Sequence, residues 1–243
     1  MNVLFFRLSY TTIFLIFSIA ITFAASREEE RINSSVDVLN NIMVTPEKSI
    51  PLGLLKRAKG IAIIPGMIKG GLGVGGRYGK GVMVVRMDNG CWSYPVFVSL
   101  AGGSIGYQIG GEQVNMALVF MSRESAENAA KKKITLGADA SVTAGPIGRQ
   151  AGAGTDIKLR AEILTYAQTK GLFAGVALEG AQFSMDKNSN KAFYKTDASP
   201  EDIFTGKLKN VPPLAKIFVQ NISMVSNNRT EPDSCFKRQE QIR

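Results

Sequence analysis

Residues 69–81, KGGLGVGGRYGKG, are more than half glycine, and no other stretch restricts the fold of this chain as much. Each glycine costs a helix about 1 kcal/mol relative to alanine, so the segment is not expected to be helical. It contains G-x-G-x-x-G at Gly71, Gly73 and Gly76, the spacing of a dinucleotide-binding loop. Such a loop needs a strand before it and a helix after it, with the helix N-terminus facing the pyrophosphate. The strand-like IAIIP (61–65) precedes the motif, but Arg77-Tyr78-Gly79-Lys80-Gly81 and then GVMVVRM (81–87), a β-forming run, come after it. Asp88, the candidate ribose-binding acid, lies too close to Gly76 to leave room for a crossover helix and a second strand. The P-loop pattern fails as well: Val74 stands where its first glycine belongs, and Gly81 where Ser or Thr would bind magnesium.

The remaining reading of the glycines is structural. Gly71, Gly73, Gly75, Gly79 and Gly81 fall on odd positions and would line one face of an extended strand. Leu72, Val74, Gly76 and Tyr78 would line the other. A glycine face lets a sheet bend sharply or another element approach closely. A second cluster, Gly102, Gly103, Gly106, Gly110 and Gly111, reads the same way with less regular spacing.

Around these clusters the pattern alternates strands with a few well-marked helices. Ile32, Val36, Leu39 and Met43 form an apolar stripe of a helix over 28–43, with acidic residues at its start. LGLLKRAK (52–59) fits a shorter helix ended by Gly60. Asp88-Asn89-Gly90 marks a hairpin turn before CWSYPVFVSL, and VNMALVFM (114–121) is a further strand. SRESAENAAKKK (122–133) is a helix with a serine cap, early glutamates and late lysines. ITLGADASVTAG reads as one strand, and 161–171 and 172–186 as two strands meeting at Lys170-Gly171. Ser199-Pro200-Glu201-Asp202 is a capping box, and PPLAKIFVQNI (212–222) a last helix. Runs of strands without regular βαβ alternation define the class as α+β. The expected form is a glycine-rich, mainly antiparallel, curved or barrel-like sheet with N-terminal and C-terminal helices.

The first residues, MNVLFFRLSYTTIFLIFSIAITFAAS, join one basic residue, Arg7, to an apolar run and small residues. These are the parts of a signal peptide (1–26) cleaved near Ala24–Ser26; a retained anchor is the alternative. The expected compartment is the periplasm or cell envelope. One domain over 27–225 would come next, with a disordered tail over 226–243. Cys91 and Cys235 are the two cysteines, and export permits a disulfide between them without requiring it. The chain has no histidine, which removes the commonest general base and metal ligand. The two distant cysteines form no zinc-site spacing. No metal or cofactor is expected. The net charge of +9 favours association with anionic surfaces, and export argues against nucleic acid as the partner.

LGADASVTAGPIGRQAGAGTD (136–156), AEILTYAQTKGLFAGVALEG (161–180) and NKAFY (190–194) resemble the SYLF domain family. AKGIAIIP (58–65) and GYQIGGEQVNMALVF (106–120) match its earlier segments in the same order. The resemblance spans roughly residues 30–222 and implies a single lipid-binding domain without a catalytic reaction, similar to bacterial exported members. The yeast member also binds actin, a partner that export would exclude.

The candidate lipid-binding residues are Lys56, Arg57 and Lys59, with Lys69, Arg77 and Lys80 beside the glycine strand. Each cation near an anionic membrane is worth up to about 1 kcal/mol, so a cluster is required. The competing readings are an envelope structural or protein-interaction module and, least supported, an enzyme using Asp139, Ser141, Arg149, Asp156 and Tyr166.

Overall fold

The structure, a computed structural model of the chain, describes residues 25–44, 49–146, 161–169, 172–175, 178–208 and 210–226. Helices α1 (Arg27–Val44) and α2 (Leu52–Arg57) lead into two very long strands, β1 (Gly60–Val85) and β2 (Val96–Phe120). Helix α3 (Arg123–Lys131) comes next, then β3 (Ile134–Thr135), β4 (Val142–Ala144), β5 (Ile163–Thr169), β6 (Leu172–Gly175) and β7 (Gln182–Met185). Helices α4 (Lys187–Tyr194), α5 (Pro200–Thr205) and α6 (Pro213–Val225) close the described chain. The fold is α+β with a mainly antiparallel sheet and helices at both ends, as the glycine-punctuated pattern implies; the exception is the parallel β4–β5 pair.

β1 and β2 pair antiparallel along their whole lengths, from Gly60 opposite Phe120 to Met83 opposite Val96. The two glycine clusters therefore face each other across one ribbon, with Gly70 opposite Gly111, Gly71 opposite Gly110, Gly73 opposite Gly106 and Gly76 opposite Gly103. Such a ribbon has little side-chain bulk to resist bending. Two register shifts interrupt it, between Ile64 and Met67 and between Gly71 and Gly73. At the first, Pro65 and Gly66 oppose the single residue Asn115, whose Oδ1 accepts a 2.9 Å bond from the Gly66 amide. Gly66 has φ +54°, which a residue with a Cβ rarely adopts, and a proline is tolerated at a bulge. The strand expected over 61–65 therefore runs on past Pro65 and Gly66 with only a bulge.

The ribbon is folded back on itself. A Cβ on Gly81 would meet the Ile63 carbonyl oxygen, with the Ile63 carbonyl carbon and Ile64 Cα both at 2.8 Å. A Cβ on Gly79 would lie 3.0 Å from Met67, and one on Gly60 3.1 Å from Met83 Cε. Stacked sheets normally lie about 10 Å apart, so this is backbone-on-backbone contact that only glycine permits. The odd-position glycines are thus a close-approach face at Gly79 and Gly81. The shift at Gly71–Gly73 breaks the strict alternation expected through 71–75.

Off the other edge of β2, β7 pairs with Val98–Ala101 and β5 with Asn115–Phe120. One hydrophobic core runs from Ile32 in α1 to Ile222 in α6, with Trp92, Phe97, Phe120, Tyr166, Phe183 and Phe218 as large buried members. α1 buries Ile32, Ser35, Leu39 and Ile42, leaving Val36 and Met43 at the margin of the expected stripe. The serine cap of α3 and the capping box of α5 form as expected, and Gly90 takes φ +83° in the 88–90 turn.

Two expectations are corrected and one element is added. The single strand over 134–145 is two short ones, because Gly137 takes φ +88° and the Asp139 carboxylate accepts the Thr135 amide at 2.6 Å, making a turn. Residues 172–186 likewise split into β6 and β7, with Gly180 at φ +75° before β7. Helix α4 has no counterpart in the sequence pattern; the turn at Lys170-Gly171 lies outside the described residues.

Gly81→Ala is expected to cost about 3 kcal/mol, since the methyl must displace backbone rather than a flexible side chain. Gly76→Ala, whose methyl meets nothing closer than 3.9 Å, is expected to stay within about 0.5 kcal/mol of wild type. Urea denaturation of the two variants checks the contrast.

Candidate functional site

The fold-back brings Ile68 and Tyr78, which lie on opposite arms of the bend in β1, to one cleft of about 290 Å³. Ile68 is 55% and Tyr78 50% exposed, unusual for residues of this size. α1 closes the other side of the cleft with Arg27, Glu30, Arg31 and Ser34, and Lys80 completes its wall.

The electrostatics of this cleft turn on Asp186, which is not among the expected site residues. It is the N-cap of α4: its Oδ1 accepts the Ser189 amide at 3.2 Å, and its Oδ2 the Ser189 hydroxyl at 2.9 Å. The same Oδ2 accepts Lys80 Nζ at 2.8 Å and Arg31 at 3.4 Å. Arg31 also donates to Ser189 Oγ at 3.2 Å and stands 5.3 Å from the centre of the Phe97 ring. One carboxylate, only 10% exposed, thereby joins α1, the returning arm of β1 and α4. Burial opposes its ionisation, but the Lys80 and Ser189 hydrogen bonds outweigh that and hold its pKa below the usual carboxylate value.

The six expected cations fall into two groups. Lys56 and Arg57 are exposed in the last turn of α2, opposite the buried Leu54 and Leu55. Lys59 sits half-buried just before β1, its amide donating to the Phe120 carbonyl at 2.7 Å. Lys69, Arg77 and Lys80 belong to the bend of β1. Lys69 is half-buried opposite Glu112. Arg77 donates to the Gly103 carbonyl at 3.1 Å, and burial lowers its pKa. Lys80 is bound to Asp186. Ile68, Tyr78, Arg27 and Arg31 escape the sequence reading; two consecutive arms with an exposed apolar residue beside each cation would be the signal.

Arg86, a further cation outside the expected set, is structural. It donates to the carbonyls of Leu55, Ala58 and Gly90 at 3.3, 2.9 and 3.1 Å, and stacks 4.1 Å from the Trp92 ring centre.

Of the five residues considered for an enzyme, Asp139, Ser141 and Tyr166 are described, and each is held in a contact of its own. Asp139 holds its own turn, and Ser141 exchanges hydrogen bonds with Glu162. Tyr166 is fully buried, its ring end pressed where a Cβ on Gly145 would sit, and its hydroxyl has no hydrogen-bond partner among the described residues. Burial raises its pKa. Arg149 and Asp156 lie outside the described residues. Among the described residues no set of three His, Cys, Asp or Glu side chains is placed to hold a metal.

A glycine-ribbed, folded-back sheet packed with amphipathic helices, with an apolar-rimmed cleft, makes this a non-repetitive α+β module. The chain belongs to the Ysc84 family, whose model, described as "Ysc84: Las17-binding protein actin regulator", matches residues 101–225. Protein YSC84 of Saccharomyces cerevisiae is 35% identical over 190 residues, covering 77% of this chain and 40% of its own. LAS seventeen-binding protein 3 of the same yeast is 34% identical over 175 residues, covering 71% and 38%. SH3 domain-containing YSC84-like protein 1 of Homo sapiens is 36% identical over 162 residues, covering 66% and 47%. The chain spans less than half the length of these relatives.

Asp186→Asn is expected to cost about 2 kcal/mol at neutral pH, as it weakens charge-assisted bonds to two cations. Because the folded pKa is lowered, the wild-type advantage is complete above the unfolded value near pH 4 and shrinks as pH falls through the folded value. Thermal melts of both proteins from pH 7 to pH 3 should converge; a constant gap would contradict this role. Tyr166→Phe removes a buried hydroxyl without a partner among the described residues and is expected to leave stability unchanged or raise it by about 1 kcal/mol.

Proposed function

We propose that this chain is a non-enzymatic, peripheral binder of anionic phospholipid surfaces in the cell envelope, docking through the bend of β1. The observation that carries this reading is the pair Ile68 and Tyr78, half-exposed on one cleft rim, with Lys69 and Arg77 next to them in sequence. Fully burying an apolar side chain of this size contributes roughly 1.5–3 kcal/mol, so burying the exposed half contributes about 1 kcal/mol, comparable with each cation at the surface. The apolar pair and the cations would share the affinity, and the cations would set the preference for anionic lipid. Lys56, Arg57 and Lys59 form a second, weaker basic group in this reading. The contact proposed is interfacial; among the described residues no helix is long and apolar enough to cross a membrane.

Residues 1–24 lie outside the described residues, and export through a leader there is part of the proposal. The two cysteines, Cys91 and Cys235, are compatible with export without requiring a disulfide, and Cys235 also lies outside the described residues. The names of the relatives speak of actin regulation and Las17 binding; an exported protein would meet neither, and the shared property would be the lipid surface.

Co-sedimentation with vesicles tests the reading. Binding is expected to vesicles containing phosphatidylglycerol, not to pure phosphatidylcholine, and to fall as salt rises. Ile68→Ser with Tyr78→Ser is expected to weaken it at least tenfold, and Lys69→Gln several-fold. Absence of binding under every condition would overturn the reading in favour of a protein-interaction module.

A further inference from the structure

We propose that the cleft between α1 and the folded arm of β1 holds one phosphodiester anion, the phosphate and glycerol of a single phosphoglyceride headgroup. The inference rests on the membrane-binding reading and adds a stoichiometric site to it. Three cations face the cleft: Arg27, Arg31 and Lys80. Two carboxylates answer them, Glu30 on the rim and Asp186 behind Arg31 and Lys80. One positive charge is left over. A monoanionic phosphodiester neutralises it, a phosphomonoester near −2 would overshoot it, and a zwitterionic headgroup would bring a further cation beside three.

Arg27 points to the same occupant. It lies in the first turn of α1, where the helix dipole disfavours a cation, and it makes no ion pair among the described residues. The dipole is offset by Glu28, Glu29 and Glu30 in the same turn, and an anion in the cleft would give the guanidinium a direct partner that it otherwise lacks among the described residues. Arg31 and Lys80, in contrast, are pinned in advance by Asp186, so little side-chain entropy remains to be lost when the anion arrives. Ser34 offers a hydroxyl on the same wall. Ile68 and Tyr78 provide the apolar rim against which glycerol and the first acyl carbons can lie. At about 290 Å³ the cleft suits a headgroup and is at the lower limit for small-molecule sites.

The test uses the full chain and three soluble probes, followed by amide and guanidinium NMR shifts: dihexanoyl phosphatidylglycerol below its micelle concentration, glycerophosphoglycerol, and inorganic phosphate. The short-chain lipid is expected to shift Arg27, Arg31, Ile68 and Tyr78, with glycerophosphoglycerol at least tenfold weaker and inorganic phosphate weaker still. Arg27→Gln, which relieves the helix dipole and so keeps the fold, is expected to weaken the lipid several-fold; Arg31→Gln is expected to do the same, with its folding checked by melting. Shifts outside the cleft, an unchanged affinity in Arg27→Gln, or equal affinity for phosphate and the lipid would overturn the site. Vesicle binding without any shift by the soluble lipid would overturn the site and leave the membrane reading standing. Loss of vesicle binding as well would remove both.

Discussion

The contact of Gly81 with the backbone of Ile63 is the constraint on which the rest of this structure depends. It turns a hairpin of two strands, each about 25 residues long, into a doubled layer with its own backbone as the filling. Without it, Ile63, Ile64 and Met67 would lose the surface that buries them. The bend would also no longer place Ile68 beside Tyr78. Glycine is required at this crossing by space, and at Gly66 by backbone angle. The facing glycines of the two strands, such as Gly70 and Gly111, leave the apex with little bulk to resist folding.

Asp186 is the second joint. Its carboxylate fixes α1 and the returning arm of β1 to the N-terminus of α4, so a third part of the chain holds the two walls of the cleft together. The arrangement stores one unmatched positive charge next to exposed apolar side chains. That combination suits an interface between water and lipid, where each half of the surface finds its own solvent. It also explains why Lys80, although beside the glycine strand, contributes first to stability and only then to the electrostatics of the cleft.

The local part of this fold is legible in the sequence. The capping box at Ser199–Asp202, the serine cap before α3 and the Asp88-Asn89-Gly90 turn are short-range signals, and each appears where its chemistry requires it. The segment after Gly76 is strand, as its β-forming residues require, and a nucleotide loop has no helix there to build on. The fold-back is not legible: close approach of Gly81 to Ile63 is a long-range contact, and a glycine face announces only that something can come near. Asp186 escapes for the same reason, with its partners Arg31 and Lys80 lying 155 and 106 positions away. α4 escapes because KNSNKAFY carries too few apolar positions to show a helical period, and its stability comes from the Asp186 cap and the burial of Phe193 and Tyr194. The Ysc84 family model, in turn, matches residues 101–225, downstream of the cleft, and says more about the scaffold than about the bend.

Nuclear Overhauser contacts between the arms of β1 measure the fold-back most directly. In the folded-back ribbon, the Hα protons of Gly81 and Gly79 lie against Ile63, Ile64 and Met67, and cross-peaks between them are expected. In a straight ribbon, Gly81 and Ile63 would be roughly 60 Å apart and no such cross-peak could arise. Their absence, with the β1–β2 ladder otherwise intact, would contradict the fold-back and with it the cleft.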